Sequence, residues 1–409
     1  MKTILPLILA IFWALAPAHA QRQGEKFEAL TRHFHQLVDS GQLAGTVMMV
    51  AEGQLIYTDV YGMADRERQR PMRLNTLFSM ASMTKPIVSV AAMMLVEEGK
   101  FKLDDPVGRY LPAFINTHVF DAVQGTVPPR RPITVRDLFM HTSGITSGDF
   151  DASPTGAAYR EAFAENPASL DELVQILGEL PLAHHPGDRW TYGYSTDVLA
   201  LLVEQASGMP IDQFLHTRLF GPLGMTDTGF KVPPEKTDRV AAMYGADLKL
   251  RRAPEESPNV LGTIFPRGNT GLVSTLSDYS RFVKMLVNGG EWDGKRYLKP
   301  ESLSRMLQNR LPESQIPLQV GNISTPGQGF GLGFGVLVED TDYGGRKGDC
   351  FWPGAAFTYF FLNPDTGVYG VFLTQFTDLR KLHFLYEFHG LANAIFTGNE
   401  EAKGLGEKG

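Results

Sequence analysis

Cysteine is nearly absent: Cys350 is the only one in 409 residues. No intramolecular disulfide can form, so packing must hold the fold. Gly348, Asp349, Phe351 and Trp352 surround Cys350 with no histidine nearby, and it reads as a small buried side chain rather than a nucleophile. Cysteine hydrolysis thereby loses its only candidate. Metal-ligand spacing is also missing. No H-E-x-x-H occurs, His33 and His35 fall on different faces of a predicted helix, and the adjacent His184 and His185 are poorly placed to share one ion. There is no G-x-S-x-G, which removes the nucleophile elbow of α/β-hydrolases. The glycines at 329, 331, 333 and 335 do not fit G-x-G-x-x-G and run into a strand pattern, so a flat, closely packed strand is expected rather than a phosphate loop. The formal net charge is −7, spread along the chain, and no Lys/Arg cluster alternates with aromatics. Nucleic acid is a poor partner for such a surface. No internal repeat and no feature specifying an oligomeric state is present.

Long apolar runs are confined to the beginning. Lys2, the apolar run from Ile4 to Ala16, and Ala18-His19-Ala20 follow the order of a secretory signal peptide. The run is shorter than the ~20 residues that span a bilayer. Cleavage after Ala20 is expected, giving a periplasmic or secreted protein without a membrane span, with residues 21–409 forming one catalytic unit.

Phe27, Leu30, Phe34 and Leu37 recur at spacings of three and four, which predicts a helix over 24–40. Strands at 46–50 and 55–58 flank the turn at Glu52-Gly53. A helix is predicted from Thr84 to Glu98, with Pro86 in its first turn and Gly99 at its end. The middle, about 100–325, reads as helix and loop, with helices at 134–141, 170–179, 195–207, 211–219, 277–289 and 300–309. Strands return at 331–339, 356–363 and 368–375, and a closing helix at 380–396. The fold class is therefore α/β in the α+β sense: an antiparallel sheet built from about 24–80 and 326–400, flanked by helices, with a large helical insertion and a cleft where the parts meet.

A serine hydroxyl needs a base to become a nucleophile, and Ser82-Met83-Thr84-Lys85 sets an amine one helical turn away. By spacing alone, Ser82 could equally cap the helix and Lys85 be solvated. Five stretches in order extend the pattern: Phe78-Ser79-Met80-Ala81-Ser82-Met83-Thr84-Lys85; Ile133 to Gly144, ending His141-Thr142-Ser143-Gly144; Pro186-Gly187-Asp188-Arg189-Trp190-Thr191-Tyr192; Gly221 to Thr228; and Gly271-Leu272-Val273-Ser274-Thr275. Together they resemble the class C β-lactamases and penicillin-binding proteins, with their relatives the family VIII carboxylesterases and D-amino peptidases, over about 25–395.

The resemblance implies a β-lactamase-like fold and an acyl-enzyme mechanism without a cofactor. It implies Ser82 as nucleophile, Lys85 and Tyr192 as its proton-handling partners, and the backbone amides of Ser82 and Ala355 as the oxyanion hole. Tyr194 is the rival for the role of Tyr192. The family's Lys-Thr-Gly strand corresponds here to Trp352-Pro353-Gly354, without the cation, a form that resembles the ester-cleaving relatives. Tyr192-Gly193-Tyr194 likewise lacks the asparagine of Tyr-x-Asn. Arg346 and Lys347 remain as cations on the preceding turn. The expected substrate is a small carboxylic ester of short to medium acyl chain, with Trp352, Gly354 and Tyr194 at its binding surface. A β-lactamase, a D-amino peptidase, a transesterase or a non-turnover penicillin-binding sensor would use the same machinery. His141 reads as a turn residue that shapes the cleft.

Overall fold

The apolar runs beside Glu52-Gly53 form the expected hairpin. β1 (Gly45–Glu52) and β2 (Leu55–Asp65) pair antiparallel, from Gly45 opposite Gly62 to Glu52 opposite Leu55. The computed structural model describes residues 26–397, so the predicted signal peptide lies outside the described residues. A short β3 (Arg70–Pro71) follows, and the other strands come from the far end of the chain: β4 (Gln328–Phe330), β5 (Gly335–Leu337), β6 (Cys350–Gly354), β7 (Thr358–Leu362) and β8 (Val368–Leu373). The order is β4-β5-β6-β7-β8-β1-β2-β3, antiparallel throughout. Pairing of β1 with β8 closes the chain on itself, Val47 lying opposite Leu373.

The helices that position the site are α1 (26–39), α2 (Thr84–Glu97), α3 (Val135–Met140), α4 (Ser195–Ser207), α5 (Leu276–Val287) and α6 (His383–Thr397). Alternation along the strands divides the core in two. One face sends Met48, Val50, Phe351, Tyr359, Phe361 and Phe372 against α1 and α6, and Phe34 meets Phe372 with ring centroids 4.8 Å apart. The other sends Val47, Trp352, Phe360 and Leu373 against the helical middle. Each fully buried Phe contributes about 1.5–3 kcal/mol. α2 is buried from Thr84 to Leu95, as its nearly uninterrupted apolar sequence requires, and this carries Lys85 into the interior.

One expectation is corrected, and two elements escaped the periodicity. The strand expected at 331–339 is a hairpin turn followed by only Gly335–Leu337, because Gly333 adopts φ +95° beside the Ser89 side chain. β6 carries no alternating pattern, being buried on both faces, and periodicity did not reveal it. A helix at Pro154–Ala162 was also missed, although Ser153 caps it and Pro154 opens it. Among the described residues no helix is long and apolar enough to cross a membrane.

Candidate active site

Ser82 does not cap the helix. It lies in a 3-10 turn, Ala81–Met83, that leads into α2 with no side-chain cap. Ala81 has φ +45°, a left-handed conformation costing a non-glycine residue ~1–3 kcal/mol unless its surroundings impose it. They do. Met80 N–H donates to Leu272 O at 2.8 Å, Thr358 Oγ1 donates to Met80 O at 3.1 Å, Thr84 Oγ1 to Ala81 O at 2.8 Å and Tyr279 Oη to Met83 O at 2.9 Å. The segment Gly271–Thr275 thus acts by holding the serine turn. Gly354 is required for the same reason: a Cβ there would lie 2.4 Å from Met80 O and 2.2 Å from Thr358 Oγ1.

Lys85, 2% exposed, places Nζ 2.6 Å from Tyr192 Oη and 3.2 Å from Ser82 Oγ, and Ser82 Oγ lies 2.7 Å from Tyr192 Oη. Burial lowers the Lys85 ammonium to about 7; nearby Asp197 pulls it up and Arg267 pushes it down. Burial also raises the Tyr192 phenol above its ordinary 10, against the hydrogen bond from Ser82 that favours the phenolate. The ring nevertheless keeps a partly exposed edge. At neutral pH this combination holds a neutral phenol beside an amine that can shed its proton.

A third contact of Lys85 fixes its direction: Nζ donates to Asn269 O at 2.9 Å. That carbonyl is held by Asp197, at the start of α4, which is fully buried. Asp197 Oδ1 accepts from Gly268 N–H at 2.9 Å and Asn269 N–H at 2.8 Å, and Oδ2 accepts from Arg267 Nη2 at 2.9 Å. His141 ends α3 as a left-handed C-cap with φ 54°, its backbone N–H turned back to the Asp137 and Leu138 carbonyls. Its ring stacks on Tyr192 at 5.5 Å, and burial, aided by the Lys85 charge, lowers it to about 3. It stays neutral and serves as a wall. Trp190 at 6.1 Å, Trp352 at 5.8 Å and Phe150 at 5.4 Å enclose Tyr192 further.

Ser82 opens onto an apolar pocket shared with Tyr192, Trp352, Gly354 and Ala355, closed by Leu318 and Val320 of one hairpin and by Leu382 and Tyr386 near the C terminus. Ser82 and Ala355, whose amides the resemblance nominated, therefore border one space. Among the described residues no cluster of three or more metal-ligating side chains occurs. The arrangement offers a hydroxyl nucleophile, a buried base and a proton relay at the mouth of an apolar cavity.

A family model, Beta-lactamase, matches residues 30–390. The chain belongs to the beta-lactamase family. It is 38% identical over 354 residues to an uncharacterized protein of Mycobacterium tuberculosis, covering 83% of this chain and 88% of that one. It is 37% identical over 210 residues to esterase EstB of Burkholderia gladioli, covering 50% of this chain and 51% of EstB. Among solved structures, EstCE1, a hydrolase with promiscuous acyltransferase activity, superposes with a TM-score of 0.78 at 25% identity, covering 91% and 99% of the two chains. The protein is a serine hydrolase of this family, with a β-lactamase-like fold.

Within this family site, the structure brings together Ser82, Lys85, Tyr192, Trp352, Gly354 and Ala355. Tyr194 is placed elsewhere. Two residues beyond Tyr192 it enters α4, packs on Phe163 at 5.0 Å and receives Arg267 over its ring at 5.6 Å, so it neither lines the pocket nor contacts Lys85. Arg346 is paired with Asp340 at 2.9 Å, and Lys347 borders a separate groove, so neither cation reaches the pocket. Sequence reasoning missed Asp197, Arg267 and Asn269. Arg267 and Asn269 are marked only by their position just before Gly271–Thr275, Asp197 only by its place at the start of α4 shortly after Tyr192, and Asn269 acts through a backbone carbonyl, which no side-chain pattern reports.

Proposed function

We propose that the protein is an exported esterase that cleaves short-chain carboxylic esters through an acyl-enzyme on Ser82. The observation that carries this reading is the closed set of contacts among Ser82 Oγ, Tyr192 Oη and Lys85 Nζ at the mouth of an apolar pocket. Lys85, with its amine neutral, is the working base, because burial lowers the lysine and raises the tyrosine. Lys85 takes the Tyr192 proton as Tyr192 takes that of Ser82, and Ser82 Oγ attacks the ester carbonyl. The amides of Ser82 and Ala355 stabilise the oxyanion; losing one such donor typically costs on the order of 10²–10³ in rate. As the C–O bond breaks, the departing alcohol oxygen receives a proton from Tyr192, which Lys85 replenishes. Water repeats the cycle and frees the acid.

An apolar Trp352 in place of a cation, with Arg346 and Lys347 turned away, supports neutral esters over β-lactams and D-alanyl peptides. Transfer of the acyl group to an alcohol is a second reading, since an alcohol could replace water in the last step; EstCE1 is described as having promiscuous acyltransferase activity. Export is supported by the composition of residues 1–20, and an intact mass beginning at Gln21 in the extracytoplasmic fraction tests it. The test of mechanism is burst and steady-state hydrolysis of p-nitrophenyl butyrate by the protein and its Ser82→Ala variant, with mass spectrometry of the trapped enzyme. Turnover with an adduct on Ser82, both lost in the variant, is expected. Equal activity in the variant removes Ser82 from the reaction, and an adduct without turnover favours the sensor.

A further inference from the structure

Tyr192 separates two cavities of different size and chemistry. The pocket that Ser82 lines is small, about 110 Å³, and largely apolar. On the other side of Phe150 and Tyr192, the two residues common to both, lies a cleft of about 750 Å³ that Ser82 does not border. That volume falls in the ~300–1,000 Å³ range of ligand sites.

The wall of the cleft interleaves partly exposed aromatic rings, Phe120 and Phe150, with Asp151, Arg189 and Gln319. Asp151 accepts from Thr146 Oγ1 at 3.0 Å and Ser153 N–H at 2.9 Å, which orients its carboxylate and leaves it further acceptor capacity. The cleft's other carboxylate, Asp188, is paired with Arg130, and Arg189, which donates to Ala183 O at 3.2 Å, is matched in charge by Asp151, so the wall carries no net excess of cations to hold an anion. Aromatic faces beside a carboxylate, an amide and a guanidinium suit a ligand with apolar C–H faces and many hydroxyls.

Resting on the esterase reading, we infer that the substrate is a short-chain acyl ester of a neutral sugar, with the acyl group in the Ser82 pocket and the sugar in the cleft beyond Tyr192. The acyl carbon becomes bonded to Ser82 Oγ and must sit in the cavity that Ser82 lines. The sugar oxygen leaves with the proton that Tyr192 delivers, and Tyr192 lines the cleft. The ester C–O bond breaks as the Ser82 Oγ–C bond forms, and the sugar hydroxyl is restored.

The experiment compares 6-O-butyryl glucose, n-butyl butyrate and 6-O-octanoyl glucose on the wild-type enzyme and on Asp151→Asn and Gln319→Ala; Gln319 is exposed, so its loss leaves the core intact. The butyryl sugar is expected to exceed the butyl ester in kcat/KM by about tenfold, the worth of one or two hydrogen bonds to the alcohol part. The octanoyl sugar should fall below the butyryl sugar. Each variant should pull the sugar-to-butyl ratio toward one, mainly through KM. Equal use of the sugar and butyl esters, a ratio unmoved by both variants, or a preference for octanoyl overturns the inference while an adduct on Ser82 leaves the esterase standing. Absence of turnover and of adduct with all three esters defeats the esterase reading itself.

Discussion

Two buried constellations lie on opposite faces of the sheet, and each joins a tyrosine to a basic side chain. Behind the sheet, His389 of α6 holds Asp349 Oδ2 through Nε2 at 2.7 Å and Tyr359 Oη through Nδ1 at 2.9 Å. Asn393, Asn363 and the Arg346 N–H also donate to Asp349, at 2.8, 2.8 and 2.7 Å. Burial alone would raise the Asp349 carboxyl, yet His389 and these donors hold it below its usual range. In front of the sheet, Lys85 has no carboxylate in contact; Asp197 is turned toward Arg267 and the 268–269 amides. A charge whose partners are complete stays put and ties β6 to α6. A cation whose burial is only partly compensated gives up its proton near neutrality, and a cavity beside it turns that instability into chemistry.

Removing the cation from the front set is the hardest test of that contrast. Lys85→Met should lower kcat/KM for p-nitrophenyl butyrate on the order of 10⁴-fold, the upper end for a positioned base, with far-UV circular dichroism unchanged. A residual activity within tenfold of wild type would show that Lys85 is a bystander. Tyr192→Phe keeps the ring and its packing on His141 and removes only the relay; a loss on the order of 10²–10³ in the acylation rate is expected by stopped-flow.

The pH profile sharpens the comparison without a large loss. The neutral amine is the active form, so kcat/KM should rise with pH through a limb at about 7. Asp197 raises the Lys85 value and Arg267 lowers it, so Asp197→Asn should move that limb to lower pH and reduce kcat by about tenfold as the Asn269 carbonyl loosens. A limb that stays in place would mean that Asp197 does not act on Lys85. Behind the sheet the expectation reverses. His389→Gln should leave kcat/KM within about twofold while costing about 2–4 kcal/mol in urea unfolding, because it strips a partner from a buried carboxylate. A tenfold loss of acylation at full stability would place that network in the reaction.

Much of this was legible from the chain. The 3.6-residue stripe of Phe27, Leu30, Phe34 and Leu37 buries as written, and helices at 170–179 and 195–207 appear at those bounds. Where burial is two-sided the pattern fades: β6 gives no alternation because Phe351 and Trp352 are both covered, on opposite faces. The resemblance set Tyr192 before its rival Tyr194, and the turn into α4 separates them, sending Tyr192 toward Lys85 and Tyr194 toward Arg267.

The sequence by itself determined most of the helices and the opening hairpin and the one-turn spacing of Ser82 and Lys85, because these follow from local periodicity and spacing. Only the tertiary structure decided that Lys85 is stripped of water, that Asn269 lends it a carbonyl through Asp197, and that Tyr192 divides a small apolar pocket from a larger cleft of mixed polarity. Desolvation and cavity shape are properties of residues far apart in the chain meeting in space, and no local pattern encodes them.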